Sequence, residues 1–325
     1  MPADLHLAGT SCTAFSPQGA QAREFDVTIL AFVAWAGMRR LLQEAQIVYE
    51  NVRGLASLLA LVLSDLYHID SSYCSPDLFG WPITRPREYF ILRHKAKTLP
   101  SAHTLEEWTR RWHRTCCFSW LDFFWQTAED ELMHELQWAQ GRKTCPNKCD
   151  KIEVNMSDSD CFIRGLNRME LGFLTGYKKI VNMEKTAVQL NQDPADHAQH
   201  SRGDTLHCII RNCGLIFTAH PGVFPLRWLT ASESLSAQGF RTKPSMRQLS
   251  RVEPNSVATS FHIERIRHPQ TVRGQAGNAM HVNCVGVVLL STFMPRVQPI
   301  QSSRGAQFNT PKGDLFSNIM MYSQV

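Results

Sequence analysis

The chain has 325 residues, enough for about two domains at roughly 150 residues each, and a hydrophobic content of 43% supplies a core. Charged residues make up 19%, which excludes a largely disordered, solvating chain. The longest apolar run, Val27 to Met38, is a dozen residues, too short to span a bilayer, and nothing at the N-terminus reads as a signal peptide. A soluble intracellular protein with no membrane partner is the expectation.

Leu5 and Leu7 predict a short strand running into the turn Gly9-Thr10-Ser11-Cys12. Apolar positions from Val27 through Leu42 recur at helical spacing and end in Arg39-Arg40. Gln46-Ile47-Val48-Tyr49 reads as a brief buried strand, closed by Glu50-Asn51-Val52. A second apolar helix is expected from about Leu55 to Leu66, and Tyr89-Phe90-Ile91-Leu92 is the next strand. Strand, helix, strand, helix, strand predicts a parallel α/β sheet.

The character changes around residue 96. Thr104-Leu105-Glu106-Glu107 reads as a capping box opening a helix. Trp108, Trp112, Trp120, Trp125 and Trp138 follow in that helical stretch, at a spacing that suits packing better than a base-stacking platform. Residues 141–205 are polar without a clear period and predict a loop-rich insertion or a small module. The last thirty residues, rich in Gln, Ser, Asn and Pro, predict a loosely ordered tail.

The formal charge of +5 is modest, but its location is informative. Arg241, Lys243, Arg247, Arg251, Arg265, Arg267 and Arg273 face only Glu253 and Glu264 in one segment, a surplus equal to that of the whole chain. Such a segment suits a polyanionic partner, and a solvated loop has the same composition. Ten cysteines follow no regular framework, so they read as mostly buried free thiols. Cys145, Cys149 and Cys161 form the densest group, yet the second close pair of a zinc site is missing and no metal is expected.

Three features of the first ninety residues belong together. Cys12 follows the first strand, Glu50 follows the next, and Arg85 and Arg87 precede a third in Gly80-Trp-Pro82-Ile-Thr-Arg85-Pro-Arg87. In open parallel sheets the carboxyl ends of strands converge on one crevice, where ligands bind. A thiol, a carboxylic acid and guanidinium groups meeting there make a nucleophile, a proton donor and an anion holder.

The order of these motifs resembles the cytosine-C5 DNA methyltransferase family. Its nucleophile motif, Pro-Cys-Gln-x-Phe-Ser, is similar to Ser11-Cys12-Thr13-Ala14-Phe15-Ser16, with Ser11 in place of Pro and Thr13 in place of Gln. Its Glu-Asn-Val motif is Glu50-Asn51-Val52 without change. Its Gly-x-Pro-Gln-x-Arg-x-Arg motif resembles Gly80 to Arg87, with Ile83 where Gln is usual. Arg227-Trp-Leu-Thr-Ala-Ser-Glu233 with Gln238-Gly239-Phe240 looks like the ninth motif, and Gly277-Asn278 with Val282 looks like the tenth. The likeness covers residues 1 to about 95 and 226 to 290.

The resemblance implies an α/β chain with a Rossmann-like class I methyltransferase fold, N-terminally truncated, and a smaller target-recognition-type region. Its parts would be a partial catalytic domain at 1–95, a variable region at 96–225, closing motifs at 226–295 and a tail at 296–325. It also implies a covalent mechanism. The Cys12 thiolate would add to C6 of cytosine and turn the ring into an enamine whose C5 can accept a methyl group. Glu50 would hold or protonate N3, Arg85 would bind the O2 edge and Arg87 would order the loop around Cys12. Gly277, Asn278 and Val282 would contribute to S-adenosylmethionine binding, while Ser16, Arg227, Arg247 and Arg251 would contact DNA. The target base must leave the duplex to reach such a pocket, and a nuclear location follows from that substrate.

The family's Asp-x-Phe-x-Gly-x-Gly turn, which cradles S-adenosylmethionine, has no counterpart in the sequence. The expectation is a chain that binds cofactor poorly alone: an incomplete gene model, a remnant, or one half of an enzyme whose second chain supplies the cofactor segment. The rival expectation is a non-catalytic nucleic-acid-binding or partner-stimulating protein that kept the fold. A related branch methylates transfer RNA, but its Pro-Cys-Gln-Pro-Phe-Thr variant is absent here, so DNA is favoured over RNA.

Overall fold

The computed structural model describes residues 3–16, 26–124, 129–141, 159–210, 215–220, 224–240 and 269–293. Strand β1 (Leu5–Gly9) leads through a 3-10 turn at Val27–Ile29 into α1 (Leu30–Leu42), then to β2 (Gln46–Asn51), which pairs parallel with β1. Helix α2 (Ala56–Leu63), β3 (Tyr67–Cys74) and β4 (Arg87–His94) complete a four-stranded sheet of order β1-β2-β4-β3. The expected parallel sheet holds for β1 and β2 and fails at β4, which runs antiparallel to both neighbours. The unforeseen strand is β3. Its His68, Asp70, Ser71 and Ser72 blur the alternation, and its edge position leaves one face partly wet.

Every residue of β2 is buried, as expected of a strand covered on both faces. Alternation sends Ile47 and Tyr49 to one side, where Phe32 and Ala36 of α1, Leu59 and Leu63 of α2, and Phe90 and Leu92 of β4 form a core. Asp26 caps the entry to α1 by accepting from the Thr28 N–H at 2.8 Å, and Gln43 in the left-handed conformation (φ 48°) ends it. The outer face of α1 is apolar yet exposed at Leu30, Val33, Met38 and Leu41. It flanks β1, an edge strand of the sheet among the described residues.

Helix α3 (Leu105–Arg110) opens with the expected capping box, in which the side chains of Thr104 and Glu107 each accept from the other's backbone N–H. Beyond it lie α4 (Glu129–Gly141), α5 (Ser159–Arg164), α6 (Arg168–Ile180), β5 (Val188–Gln189), α7 (Pro194–His197), β6 (Ile216–His220) and β7 (Phe224–Trp228). Strands β5, β6 and β7 make a small antiparallel sheet. The stretch expected to be loop-rich therefore contains a full amphipathic helix, α6. Asn167 and Glu170 form its capping box, and Leu174 and Tyr177 bury its apolar stripe against Phe217 and Trp228. The tryptophans do pack: Trp120 is buried against Ile83 and Leu206, and Trp108 beside Cys284 and Val288. Trp125 lies outside the described residues.

Helices α8 (Ala231–Ala237), α9 (Pro269–Asn278) and α10 (Val282–Phe293) bring the chain back to the first sheet. Cys284 and Val288 of α10 cover Val48 and Ile91 on the face opposite α1, and the Trp108 indole donates to the Val287 carbonyl at 3.0 Å. This return carries the α9–α10 turn to the carboxyl end of β1. The expected tail and most of the basic segment, 241–268, lie outside the described residues, as do Cys145 and Cys149. Among the described residues no cluster of His, Cys, Asp and Glu could hold a metal ion, and Cys161 is buried.

Candidate active site

Because β1 and β2 are parallel and Gly9 pairs with Glu50, both strands deliver their carboxyl ends to one crevice. Space at Gly9 is tight: a Cβ would lie 3.1 Å from Glu50 Oε2 and 3.2 Å from the Met280 methyl, so these side chains would have to give by a few tenths of an ångström. The loop after β1 turns tightly, since the Cys12 carbonyl accepts from the N–H groups of Phe15 at 3.1 Å and Ser16 at 2.9 Å. The result is a cleft of about 530 Å³ lined by Cys12, Ser16, Glu50, Arg85 and Arg87, with Gly277, Asn278 and Met280 also on its wall.

The two arginines have different partners. Arg87 Nε stands 3.1 Å from Glu50 Oε1. Arg85 is buried and donates to the carbonyls of Ile209, Gly277 and Ala279, the last two at 2.9 Å each. It thereby fastens the 206–210 segment and the α9–α10 turn to the start of β4. The expectation is Arg85 for the base and Arg87 for the loop; both line the cleft, with Arg87 paired to Glu50 and Arg85 held by backbone carbonyls. Ile83 shares in the clamp: it is fully buried beside Leu206, and the Thr84 N–H donates to the Leu206 carbonyl at 2.8 Å. An apolar side chain at that position is thus a packing residue.

Burial pushes the Glu50 carboxyl above the usual range, and the pull of Arg87 and Arg85 in the other direction does not cancel it. A carboxyl held this way keeps its proton to higher pH than an exposed one. A second thiol, Cys208, lies beside both arginines, 3.6 Å from Arg85 Nη1 and 3.9 Å from Arg87 Nη2. The sequence gives no sign of it, because it belongs to no motif. Tyr49 and Thr10 border the motifs directly and carry no signal of their own, although their hydroxyls meet at 2.5 Å behind the loop.

No family model and no curated protein matches the sequence. Among solved structures, the Entamoeba histolytica methyltransferase EhMeth superposes with a TM-score of 0.52 at 12% identity, covering 89% of this chain and 77% of that one. A prophage-encoded E. coli protein described as a putative DNA modification methyltransferase gives a TM-score of 0.50 at 14% identity, over 90% and 79%. The fold is a methyltransferase fold.

Within this methyltransferase fold the remaining candidates are scattered. Gly277 and Asn278 line the cleft with Cys12, whereas Val282 does not: it starts α10 and backs onto Gly239. Gly239 has φ +86° and a Cβ there would come within 3.0 Å of Val282 Cβ, so the glycine permits this close packing. Arg227 is fully buried, with both terminal nitrogens on the Glu233 carboxylate at 2.8 and 2.7 Å. Its charge is spent inside the protein, which corrects the expectation of a DNA contact. Arg273, counted in the basic segment, is likewise buried and paired with Glu135. Arg247 and Arg251 lie outside the described residues. Among the described residues no single helix is long and apolar enough to cross a membrane.

Proposed function

We propose that the protein is a DNA (cytosine-5-)-methyltransferase that forms a covalent adduct between Cys12 and C6 of its target base. The observation that carries this reading is one cleft wall holding Cys12, Glu50 and Arg87, with the Glu50 carboxyl raised by burial and paired to Arg87. Addition of the Cys12 sulfur to C6 makes the C–S bond and pushes the ring electrons toward C5, N3 and O2. Glu50 gives or shares a proton at N3, which removes the charge that would oppose the addition. Arg87 holds that carboxyl in place and offers its guanidinium to the base carbonyl. Arg85, on the same cleft, acts by fixing the backbone around it.

The cleft falls within the size range of small-molecule sites. Gly277 and Asn278 would hold S-adenosylmethionine from a turn whose carbonyls Arg85 already immobilises. When bound, that donor supplies an electrophilic methyl group. The cytosine must swing out of the duplex to reach Cys12, and Ser16, on the same cleft, would meet its nucleotide. Arg247 and Arg251 would contact phosphates.

The test is capture on a DNA duplex carrying 5-fluorocytosine in the presence of S-adenosylmethionine. The fluorine cannot leave as a proton does, so the adduct persists. A denaturant-resistant complex mapping to Cys12, lost in Cys12→Ser, is the expected result. DNA binding without any adduct in the wild-type protein would overturn the reading in favour of a non-catalytic DNA-binding protein.

A further inference from the structure

Behind the cleft lies a hydrogen-bonded set that the proposed chemistry does not use. Alternation along β2 turns Glu50 toward the cleft and sends Tyr49 and Asn51 to the α1 face. Tyr49 is fully buried there, its ring 4.4 Å from that of Trp35 and edge-on to Phe32. Its hydroxyl nonetheless reaches the loop and lies 2.5 Å from Thr10 Oγ1. Asn51 Nδ2 donates to the same hydroxyl at 3.1 Å and to the Thr10 carbonyl at 3.3 Å. The orientation of Asn51 is fixed, because its Oδ1 accepts from the Val52 N–H at 2.8 Å. Asn51 donating to it takes one lone pair of the Tyr49 hydroxyl, and either hydroxyl can donate in the Tyr49–Thr10 bond.

Thr10 is the hinge of the nucleophile loop, one residue past the end of β1 and two before Cys12. Ser11 follows, with none of the φ restriction a proline would impose, so the loop's stiffness must come from tethers. We infer that Tyr49 is a positioning residue whose hydroxyl, together with Asn51, anchors Thr10 and so sets where the Cys12 sulfur stands relative to Glu50. It does not line the cleft, so it acts through the loop alone. Its consequence for turnover rests on the proposed role of Cys12, while the tether itself does not.

The decisive variants are Tyr49→Phe, which removes one oxygen and keeps the ring packing, and Thr10→Val, which cuts the same bond from the loop side. Site-resolved alkylation by iodoacetamide reads the loop directly, with exposed Cys117 as the internal reference. In each variant Cys12 should be alkylated several-fold faster relative to Cys117. Adduct formation on the 5-fluorocytosine duplex should slow by about ten- to a hundredfold at unchanged DNA affinity, the scale expected of a nucleophile displaced by an ångström. The double variant should lose less than the product of the two single effects, because both singles remove the Tyr49–Thr10 bond. Alkylation and capture within twofold of wild type in Tyr49→Phe would overturn the inference, and so would effects that multiply in the double variant. Should Tyr49→Phe fail to fold, Thr10→Val alone decides by the same criteria. If the wild-type protein makes no adduct, the alkylation rates still test the tether, so the two proposals fail separately.

Discussion

Arg87 and Glu50 form a 3.1 Å ion pair on the cleft wall, while Arg85, two residues earlier, turns its guanidinium to three backbone carbonyls. Both arginines line the cleft and differ in their partners, a carboxylate for Arg87 and backbone carbonyls for Arg85. The Arg85 contacts span 124 to 194 residues of sequence, so this side chain ties the start of β4 to two segments that reach the cleft late in the chain.

Arg85→Ala and Arg87→Ala should separate these roles. Loss of Arg85 leaves buried carbonyls without a donor and should cost about 3 kcal/mol in urea unfolding, since hydrogen bonds to a charged group are worth roughly 1.5–3 kcal/mol each. Loss of Arg87 should cost less stability, because Glu50 can take a proton once its partner is gone, yet it should reduce adduct formation by about a hundredfold. The opposite ordering of the two stability losses would assign the clamp to Arg87.

Glu50 gives the protein a pH signature. Its carboxyl binds a proton more tightly folded than unfolded, so its contribution to stability is fully present below the ordinary value of 4.5 and is lost as pH rises through the raised folded value. Glu50→Gln removes that dependence. The stability of wild type relative to Glu50→Gln should therefore fall between acidic and neutral pH in a series of urea titrations. A difference that stays level or rises with pH would mean the carboxyl is held ionised instead.

Much of the site is legible in the sequence because its parts are local. Cys12 follows β1 and Glu50 lies near the end of β2, and two parallel paired strands deliver their carboxyl ends to the same edge. Which arginine pairs with Glu50 is not legible from the motif, because both line the cleft. Strand β3 escapes because polar residues interrupt its alternation, and α6 because exposed Met169 and Ile180 blur the stripe of Leu174 and Tyr177. Basic residues that read as surface charge mislead at Arg227 and Arg273. The latter is neutralised by Glu135, 138 residues away, which no local count of charges can register.

The burial of Arg227 has a measurable consequence. Arg227→Ala breaks a buried pair and should destabilise the protein by about 3–5 kcal/mol, with the salt dependence of DNA binding unaltered at temperatures where the variant is folded. Replacing Arg247 and Arg251 together with Ala should leave thermal unfolding unchanged and weaken DNA binding similarly on every sequence. The slope of log affinity against log salt should flatten by about 2, roughly one unit for each phosphate that is no longer neutralised. An unchanged slope would make those two residues a solvated face.

The exposed side of α1 carries its own consequence. Leu30, Val33, Met38 and Leu41 recur at helical spacing, are 47% to 79% exposed, and adjoin the edge strand β1. Apolar stripes beside an open sheet edge favour self-association, because both the stripe and the unpaired backbone gain by being covered. Val33→Lys with Leu41→Glu puts opposite charges on solvent-facing positions and removes nothing from the core beneath Phe32 and Ala36. The doubly substituted protein should scatter less light at a given concentration and bind less of a hydrophobic dye, with its unfolding midpoint preserved. A large drop in that midpoint instead would show that these side chains are packed against something in solution.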